Sequence, residues 1–153
     1  MPDFALYRDK EKQNYAQKAE EFVQMCKPLP HTKCFLHGDY TLAHSLNAAG
    51  VHLTSTQFHK IEKAKKLGLE VIISTHSQKE ISMAEEMGAD YVTYSPIFAT
   101  PNKGEPKGVE KLVEMVEKNH IKIFALGGIV TQEHLDAIAQ SGAYGFASIR
   151  YFL

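Results

Sequence analysis

Cysteine is scarce in this sequence of 153 residues, and its scarcity limits the chemistry to be expected. Only Cys26 and Cys34 occur. They form neither a CxxC pair nor a zinc-ligand spacing, and two cysteines are too few for the disulfide framework of a small secreted domain. We therefore expect two reduced thiols without a redox role.

The sequence also lacks an excess of either charge and any long apolar run. Lys and Arg total 17 against 18 for Asp and Glu, a formal net charge of −1. Because the basic residues are spread along the chain, nucleic acid is not expected as a partner. The apolar runs are strand-sized and the N-terminus carries no secretory signal, so no membrane partner is expected either. These absences predict a cytoplasmic protein.

The sequence does contain enough apolar side chains for one core. Hydrophobic residues make up 44% of it, and no low-complexity segment or linker interrupts the pattern, so we predict a single domain over residues 1–153. Period-two or continuous apolar runs predict seven strands, at residues 4–8, 33–37, 50–54, 70–74, 90–97, 121–126 and 144–149. Amphipathic spacing predicts helices between them, including residues 10–25, 57–66, 79–87, 109–118 and 132–140.

The alternation of strands and helices predicts a parallel sheet with right-handed crossovers. The order alone leaves an open doubly wound sheet and a closed barrel as alternatives. In a barrel, the loops that follow the carboxyl ends of the strands carry the functional site. The long loop of residues 100–107, rich in Pro, Gly and Lys, is the first candidate among them.

Three features at these strand ends suit an anionic ligand. Gly127 and Gly128 directly follow a strand, and a glycine pair there leaves backbone N–H groups uncovered for a phosphate. A tight turn without a ligand is the alternative. Arg150 ends the last strand with a guanidinium fork that suits phosphate, and Lys103 brings a point charge on a flexible stem. The alternative for both residues is that they are solvated surface side chains without a ligand.

Other strand ends carry hydroxyl, imidazole or charged groups. Ser74 and His76 close the fourth predicted strand, and an imidazole suits proton transfer near neutral pH. The alternative is that His76 is a loop residue without a functional role. Arg8 and Lys10 follow the first predicted strand, where they either grip substrate or begin the next helix.

The motifs that carry these residues resemble those of one known family along essentially the whole chain. In order they are ALYRDK at residues 5–10, GVHL at 50–53, the Ser-Thr-His turn at 74–76, SPIFATPNKG at 95–104 and FALGGI at 124–129. The sequence is identified by them as a member of the thiamine phosphate synthase and thiazole tautomerase (TenI-like) superfamily. The resemblance implies a TIM-type (β/α)8 barrel that binds a thiazole phosphate, with Thr100 and Lys103 among the residues that contact it.

The residues found here at the metal-binding positions of the synthase branch favour the TenI-like branch of the superfamily. Two further histidines, His37 and His52, end strands without a metal-ligand pattern around them. In the synthase branch, an Asn-Asp pair and a later Asp help to bind magnesium and the pyrimidine diphosphate, whereas this sequence has His37 with Gly38 and then Gln57. The loss of both carboxylates argues against a magnesium site. No metal or cofactor is therefore assigned.

The resemblance to the TenI-like branch implies a proton shift that aromatises a carboxythiazole phosphate. His76 matches the catalytic position, and the Gly127–Gly128 turn is expected to hold the phosphate. Two alternatives stay open at this point. One is a thiamine phosphate synthase with an unusual metal site, and the other is a non-catalytic phosphate-binding or regulatory homologue.

Two kinds of departure from the family pattern matter. The phosphate-contacting Ser after the last strand is Arg150 here, and the second Thr of the loop motif is Asn102.

In addition, ALYRDK matches the second strand of the family, so the sequence predicts a barrel that lacks its first strand-helix unit and its last helix. Such a barrel exposes two sheet edges. We expect closure of the sheet, a partner subunit in a homo-oligomer, or residues outside this sequence to cover them.

Overall fold

A computed structural model describes residues 1–152, in which seven strands alternate with helices; residue 153 of the predicted domain lies outside the described part. The strands are β1 (Phe4–Tyr7), β2 (Lys33–His37), β3 (Gly50–Leu53), β4 (Glu70–Thr75), β5 (Tyr91–Tyr94), β6 (Lys122–Leu126) and β7 (Gly145–Ala147). The helices are α1 (Tyr15–Cys26), α2 (Tyr40–Ser45), α3 (Ile61–Lys66), α4 (Gln78–Glu86), α5 (Gly108–Lys118) and α6 (Gln132–Gln140), with 3-10 turns at Phe58–Lys60 and Arg150–Phe152.

All seven predicted strands are present, but β5 ends at Tyr94 and not at residue 97, and β7 ends at Ala147 and not at residue 149. Three helices also differ from their predictions. The first part of the helix predicted at residues 57–66 is the 3-10 turn Phe58–Lys60, and α3 begins only at Ile61.

The helix predicted from residue 10 begins only at Tyr15, because Lys12 and Asn14 have left-handed backbones with φ of 56° and 55°. A left-handed residue cannot lie inside an α-helix. Helix α2 was not bounded by the sequence pattern, since it has six residues and buries only Ala43. Its start is fixed by Asp39, whose side chain accepts a hydrogen bond from the Leu42 N–H at 2.9 Å.

The chain divides into two compact units, Met1–Ile72 and the part from Ile73 onward, and each is described by itself. In the first unit β1 pairs with β2 and β2 with β3, all in parallel. In the second unit β5 pairs with β6 and β6 with β7, again in parallel. Within each unit the strand order follows the chain order, as short right-handed crossovers require.

Each unit buries the apolar face of its helices against its strands. In the first unit, α1 places Ala19 and Val23 one helical turn apart toward β2, where Phe35 and Leu36 are fully buried. In the second unit, α5 places Leu112 and Met115 toward β6. Full burial of a large apolar side chain stabilises a fold by about 1.5–3 kcal/mol. Among residues 1–152, no helix has the length and apolar character needed to cross a membrane.

Candidate functional site

The Gly127–Gly128 turn after β6 is joined to the loop that follows β5. The Ile97 N–H donates to the Leu126 carbonyl at 3.0 Å, and the Phe98 N–H donates to the Gly127 carbonyl at 3.1 Å. Gly127 and Gly128 have φ of 104° and 68°, a region that side chains other than glycine rarely adopt. The two loops therefore form one rigid backbone assembly at the strand ends of the second unit.

Close approach explains why glycine occupies these two positions. A Cβ atom on Gly128 would lie 2.6 Å from the Ala99 carbonyl oxygen, and one on Gly127 would lie 2.8 Å from Pro96 Cα. Neither distance is compatible with van der Waals radii. Within residues 1–152, the amide N–H groups of Gly128 and Ile129 have no hydrogen-bond acceptor. Such a pair of amides after a strand suits an anion.

Ser148, just after β7, is hydrogen-bonded to the same turn, and it was not among the site residues predicted from the sequence. Its hydroxyl donates to the Ile129 carbonyl at 2.9 Å and accepts from the Tyr151 N–H at 3.1 Å. The available signal was a small hydroxyl residue directly after the last strand. Arg150, which was singled out, is exposed and starts the last 3-10 turn. It makes no polar contact within residues 1–152, and its contact with a phosphate stays a prediction.

His76 follows β4 and is held in place by its own backbone and ring. Its N–H donates to Glu80 Oε2 at 3.0 Å, while the Glu80 N–H donates to Ser77 Oγ at 3.2 Å, a reciprocal cap at the start of α4. Ring atom Nδ1 lies 3.1 Å from the Ser95 carbonyl oxygen. The Ser95 hydroxyl oxygen also lies 3.4 Å from Nδ1. Because a carbonyl only accepts, the Ser95 carbonyl favours a proton on Nδ1, and in the neutral ring this leaves the lone pair on Nε2.

The remaining predicted residues of the second unit lie on the segments that these contacts join. Ser74 is half-buried near the end of β4, and His76 follows the strand two residues later. Thr100 donates through its hydroxyl to the Phe98 carbonyl at 3.2 Å. Lys103 is exposed in the following turn and forms no ion pair among the described residues. The structure thus brings the loops together, while Lys103 extends from them without a protein partner.

The first unit contains a histidine pair at the ends of β2 and β3. The Nδ1 atoms of His37 and His52 lie 2.8 Å apart, so one must donate and the other accept. Tyr15 fixes the backbone of His37, because its hydroxyl donates to the His37 carbonyl at 3.0 Å and accepts from its N–H at 3.1 Å. The contact follows from the register of the two strands, which places His37 opposite His52.

Burial keeps this histidine pair neutral. It lowers the pKa of His52 to about 3, and the neighbouring His37 and the Arg8 guanidinium act in the same direction. The pKa of His37 is lowered by burial first, and then by Arg8 and Lys12. Arg8 and Lys10 are themselves exposed residues that follow β1. Their role in gripping a substrate stays a prediction.

The histidine pair predicts that acid destabilises the chain. Its folded pKa values lie below the ordinary value of 6.5, so the unfolded chain binds more protons between about pH 6.5 and pH 3. Stability is therefore complete above this range and is lost as the pH falls through it, by up to about 1.4 kcal/mol per pH unit for each proton. Urea unfolding at pH 7.5 and 5.5 measures the loss. The loss of stability should be smaller in His52→Gln. A free energy of unfolding that does not change with pH in the unaltered chain would contradict the account.

The residues that the resemblance matches to the magnesium positions of the synthase branch provide no carboxylate for that ion. Gln57 accepts through Oε1 from the Thr54 N–H at 3.0 Å and donates through Nε2 to the Gly38 carbonyl at 3.3 Å. The Gln57 side-chain amide is therefore already used to hold the loop. Gly38 has no side chain, and the His37 ring is hydrogen-bonded to His52. Among the described residues, no group of three or more His, Cys, Asp or Glu side chains is placed to hold a metal ion. No chemistry through a metal is assigned.

Comparison with known proteins agrees with the motifs. The model of the thiamine monophosphate synthase family matches residues 2–152. A relative from Aquifex aeolicus, provisionally named thiamine-phosphate synthase 2, is 34% identical over 149 residues, covering 95% of this chain and 77% of that protein. Thiamine-phosphate synthase from Synechococcus is 36% identical over 138 residues, covering 87% of this chain. The chain spans only 38% of that second relative.

A solved structure supports the same assignment. Thiamine phosphate pyrophosphorylase from Pyrococcus furiosus superposes with a TM-score of 0.79 at 25% sequence identity, covering 95% of this chain and 71% of that one. The match confirms the predicted α/β fold of the (β/α)8 barrel type. In barrels of this type the loops after the strands carry the sites, and the Gly127–Gly128 turn is a loop of this kind, since it follows β6.

Proposed function

Because the chain belongs to the thiamine monophosphate synthase family, we propose that it binds a thiazole phosphate and joins it to a pyrimidine diphosphate to give thiamine phosphate. The observation that carries the proposal is the Gly127–Gly128 turn, which only glycine can form at such close approach. The amide N–H groups of Gly128 and Ile129 are the donors proposed for the phosphate. Lys103 and Arg150 extend from the same loops as exposed cations that add charge.

In the proposed reaction the ring nitrogen of the thiazole attacks the methylene carbon of the pyrimidine. The new C–N bond forms as the C–O bond to the diphosphate breaks, and the diphosphate leaves with the electron pair. The names of the relatives support this synthase activity, whereas the sequence motifs alone favour the tautomerase. Arg8 and Lys10 are proposed, in the first unit, as cations for an anionic substrate.

A second candidate is the thiazole tautomerase, and the geometry of His76 favours it. With Nδ1 donating to the Ser95 carbonyl, Nε2 would act as the base that removes one proton from a carboxythiazole phosphate and returns it elsewhere. This reaction needs no diphosphate and no metal. The absence of carboxylates at positions 38 and 57 therefore does not weigh against it.

Two assays on the purified chain separate these candidates. Thiazole phosphate and the pyrimidine diphosphate are incubated with the chain, with and without magnesium, and thiamine phosphate is quantified by mass spectrometry. We expect product in this assay. The carboxythiazole phosphate tautomer is incubated alone in the second assay and followed by NMR. Turnover only in the second assay would favour the tautomerase, and saturable binding without turnover in either would indicate a non-catalytic binding protein.

A further inference from the structure

His134, in the first turn of α6, connects the loop after β5 to the segment that follows the Gly127–Gly128 turn. Its half-buried imidazole makes two contacts: the ring stacks on Phe98, and Nδ1 accepts a hydrogen bond from the Val130 N–H. We propose that His134 is a positioning residue, which holds the amides of the turn in the arrangement that binds phosphate. This inference rests on the phosphate site of the proposed function.

The start of α6 explains how the imidazole reaches Val130. Thr131 precedes the helix, and its hydroxyl accepts from the His134 N–H at 3.2 Å. The side chain of His134, the third residue of the helix, turns back so that the Val130 N–H donates to Nδ1 at 3.3 Å. A glutamate or glutamine at this helix position usually satisfies a free N–H in this way. Capping alone therefore does not require a histidine.

The aromatic stack is the contact that capping does not explain. The ring centroids of His134 and Phe98 lie 4.0 Å apart, and the ring planes are inclined by only 15°. Phe98 belongs to the loop after β5, a segment far from α6 along the chain. Stacked aromatic rings attract each other beyond the area that they bury. The stack therefore links the start of α6 to that loop, and a glutamate or glutamine could not form it.

Phe98 in turn contacts the glycine turn through its backbone. Its N–H donates to the Gly127 carbonyl at 3.1 Å. Its carbonyl carbon and Cβ both lie 2.8 Å from the position that a Cβ on Gly128 would take. The Thr100 hydroxyl donates to the Phe98 carbonyl at 3.2 Å and restrains the loop further. A ring held by His134 therefore restrains a backbone that touches the turn directly.

The proposed phosphate donors, the amides of Gly128 and Ile129, lie between these two attachments. The Phe98 N–H binds the carbonyl of the residue before them, and the imidazole binds the N–H of the residue after them, Val130. Amides stabilise an oxyanion best when their directions are fixed before the ligand arrives. One side chain, His134, thus restrains both ends of the donor pair.

Two substitutions separate the contacts of His134. His134→Gln keeps a capping acceptor for the start of the helix but removes the stack, whereas His134→Phe keeps the stack and removes the acceptor. His134→Gln should bind thiazole phosphate about 2- to 12-fold more weakly than the unaltered chain, the effect of one aromatic pair. His134→Phe should bind more tightly than His134→Gln, because water can replace the acceptor at the exposed Val130.

Calorimetric titration measures these affinities, with Gln140→Ala as the control. Gln140 is an exposed residue at the other end of α6, so its replacement should leave the affinity unchanged. Circular dichroism establishes that each variant is folded. A capping role alone would lower the melting temperature of a variant but would leave the affinity of the folded chain as it is.

Hydrogen exchange at the Phe98 amide tests the same link without a ligand. This N–H donates to the Gly127 carbonyl, so its protection reports how firmly the loop and the turn are joined. It should exchange faster in His134→Gln and recover in His134→Phe. If the unaltered chain binds no thiazole phosphate, the proposed function fails, and this exchange pattern alone decides whether His134 holds the turn.

Two results would overturn the proposal. The first is equal affinity for thiazole phosphate in the unaltered chain, His134→Gln and His134→Phe, with equal exchange at the Phe98 amide. The second is a lower melting temperature in His134→Gln with unchanged affinity and unchanged exchange, which would mean that His134 only caps α6.

Discussion

Replacing Gly128 by alanine should abolish binding of thiazole phosphate and destabilise the chain by about 2–4 kcal/mol. The added Cβ would meet the Ala99 carbonyl oxygen at 2.6 Å and the Phe98 carbonyl carbon at 2.8 Å. Both contacts are with backbone that cannot rotate away. The φ of 68° adds the strain of a left-handed alanine. The loop after β5 must therefore separate from the turn, and the amides proposed for the phosphate lose their positions.

Gly88→Ala is the matched control for this substitution. Gly88 also has a left-handed backbone, with φ of 90°, but a Cβ there would meet nothing within 4 Å. It should cost only the backbone strain, about 1 kcal/mol, and leave ligand binding unchanged. Chemical unfolding and calorimetric titration of both variants measure the two effects. Equal binding by Gly128→Ala and the unaltered chain would remove the turn from the proposed site.

Replacing His76 by asparagine should separate the two candidate activities. Proton transfer on the carboxythiazole phosphate should fall by about 10²–10⁴-fold, because the base is lost. Formation of thiamine phosphate should change little, since C–N bond formation requires no proton at this position. Asparagine can still donate to the Ser95 carbonyl that now accepts from the His76 ring, so the loop should keep its shape and thiazole phosphate should still bind.

His120→Asn is a suitable control, since His120 is another exposed histidine of the same unit and lies outside the proposed site. It should leave both activities unchanged. The rates are measured for the two variants and the unaltered chain with each substrate set. An equal loss of both activities in His76→Asn, together with lost binding, would mean that His76 supports the fold of the loops and does not transfer a proton.

Much of the fold was predictable because each strand is a short apolar run, although the ends of β5 and β7 were placed too late. The bounds of β2 agree with the prediction, since Gly38, with φ of 81°, ends the strand where the apolar run ends. The start of α1 was not predictable, because nothing in the sequence marks Lys12 and Asn14 as left-handed. The bounds of helix α2 could not be predicted, because its six residues bury only Ala43 and show too little periodicity.

The candidate site was predictable as a set of strand ends but not as a set of contacts. The glycine pair and His76 could be placed because residues after parallel strands meet at one edge. The contact between His37 and His52 depends on strand register, and that between His76 and the Ser95 carbonyl depends on how the loops pack. Neither register nor packing can be derived from one sequence. Ser148 was overlooked, because strand ends alone do not reveal which side chain turns inward.

Calorimetric titration with thiazole phosphate tests the central claim most directly. The unaltered chain and Gly88→Ala should bind it saturably with one site, and Gly128→Ala should not bind it. Because the proposed phosphate donors are backbone amides of the protein, binding should be seen with and without magnesium. No saturable binding by the folded, unaltered chain would contradict the claim that the Gly127–Gly128 turn is a phosphate site.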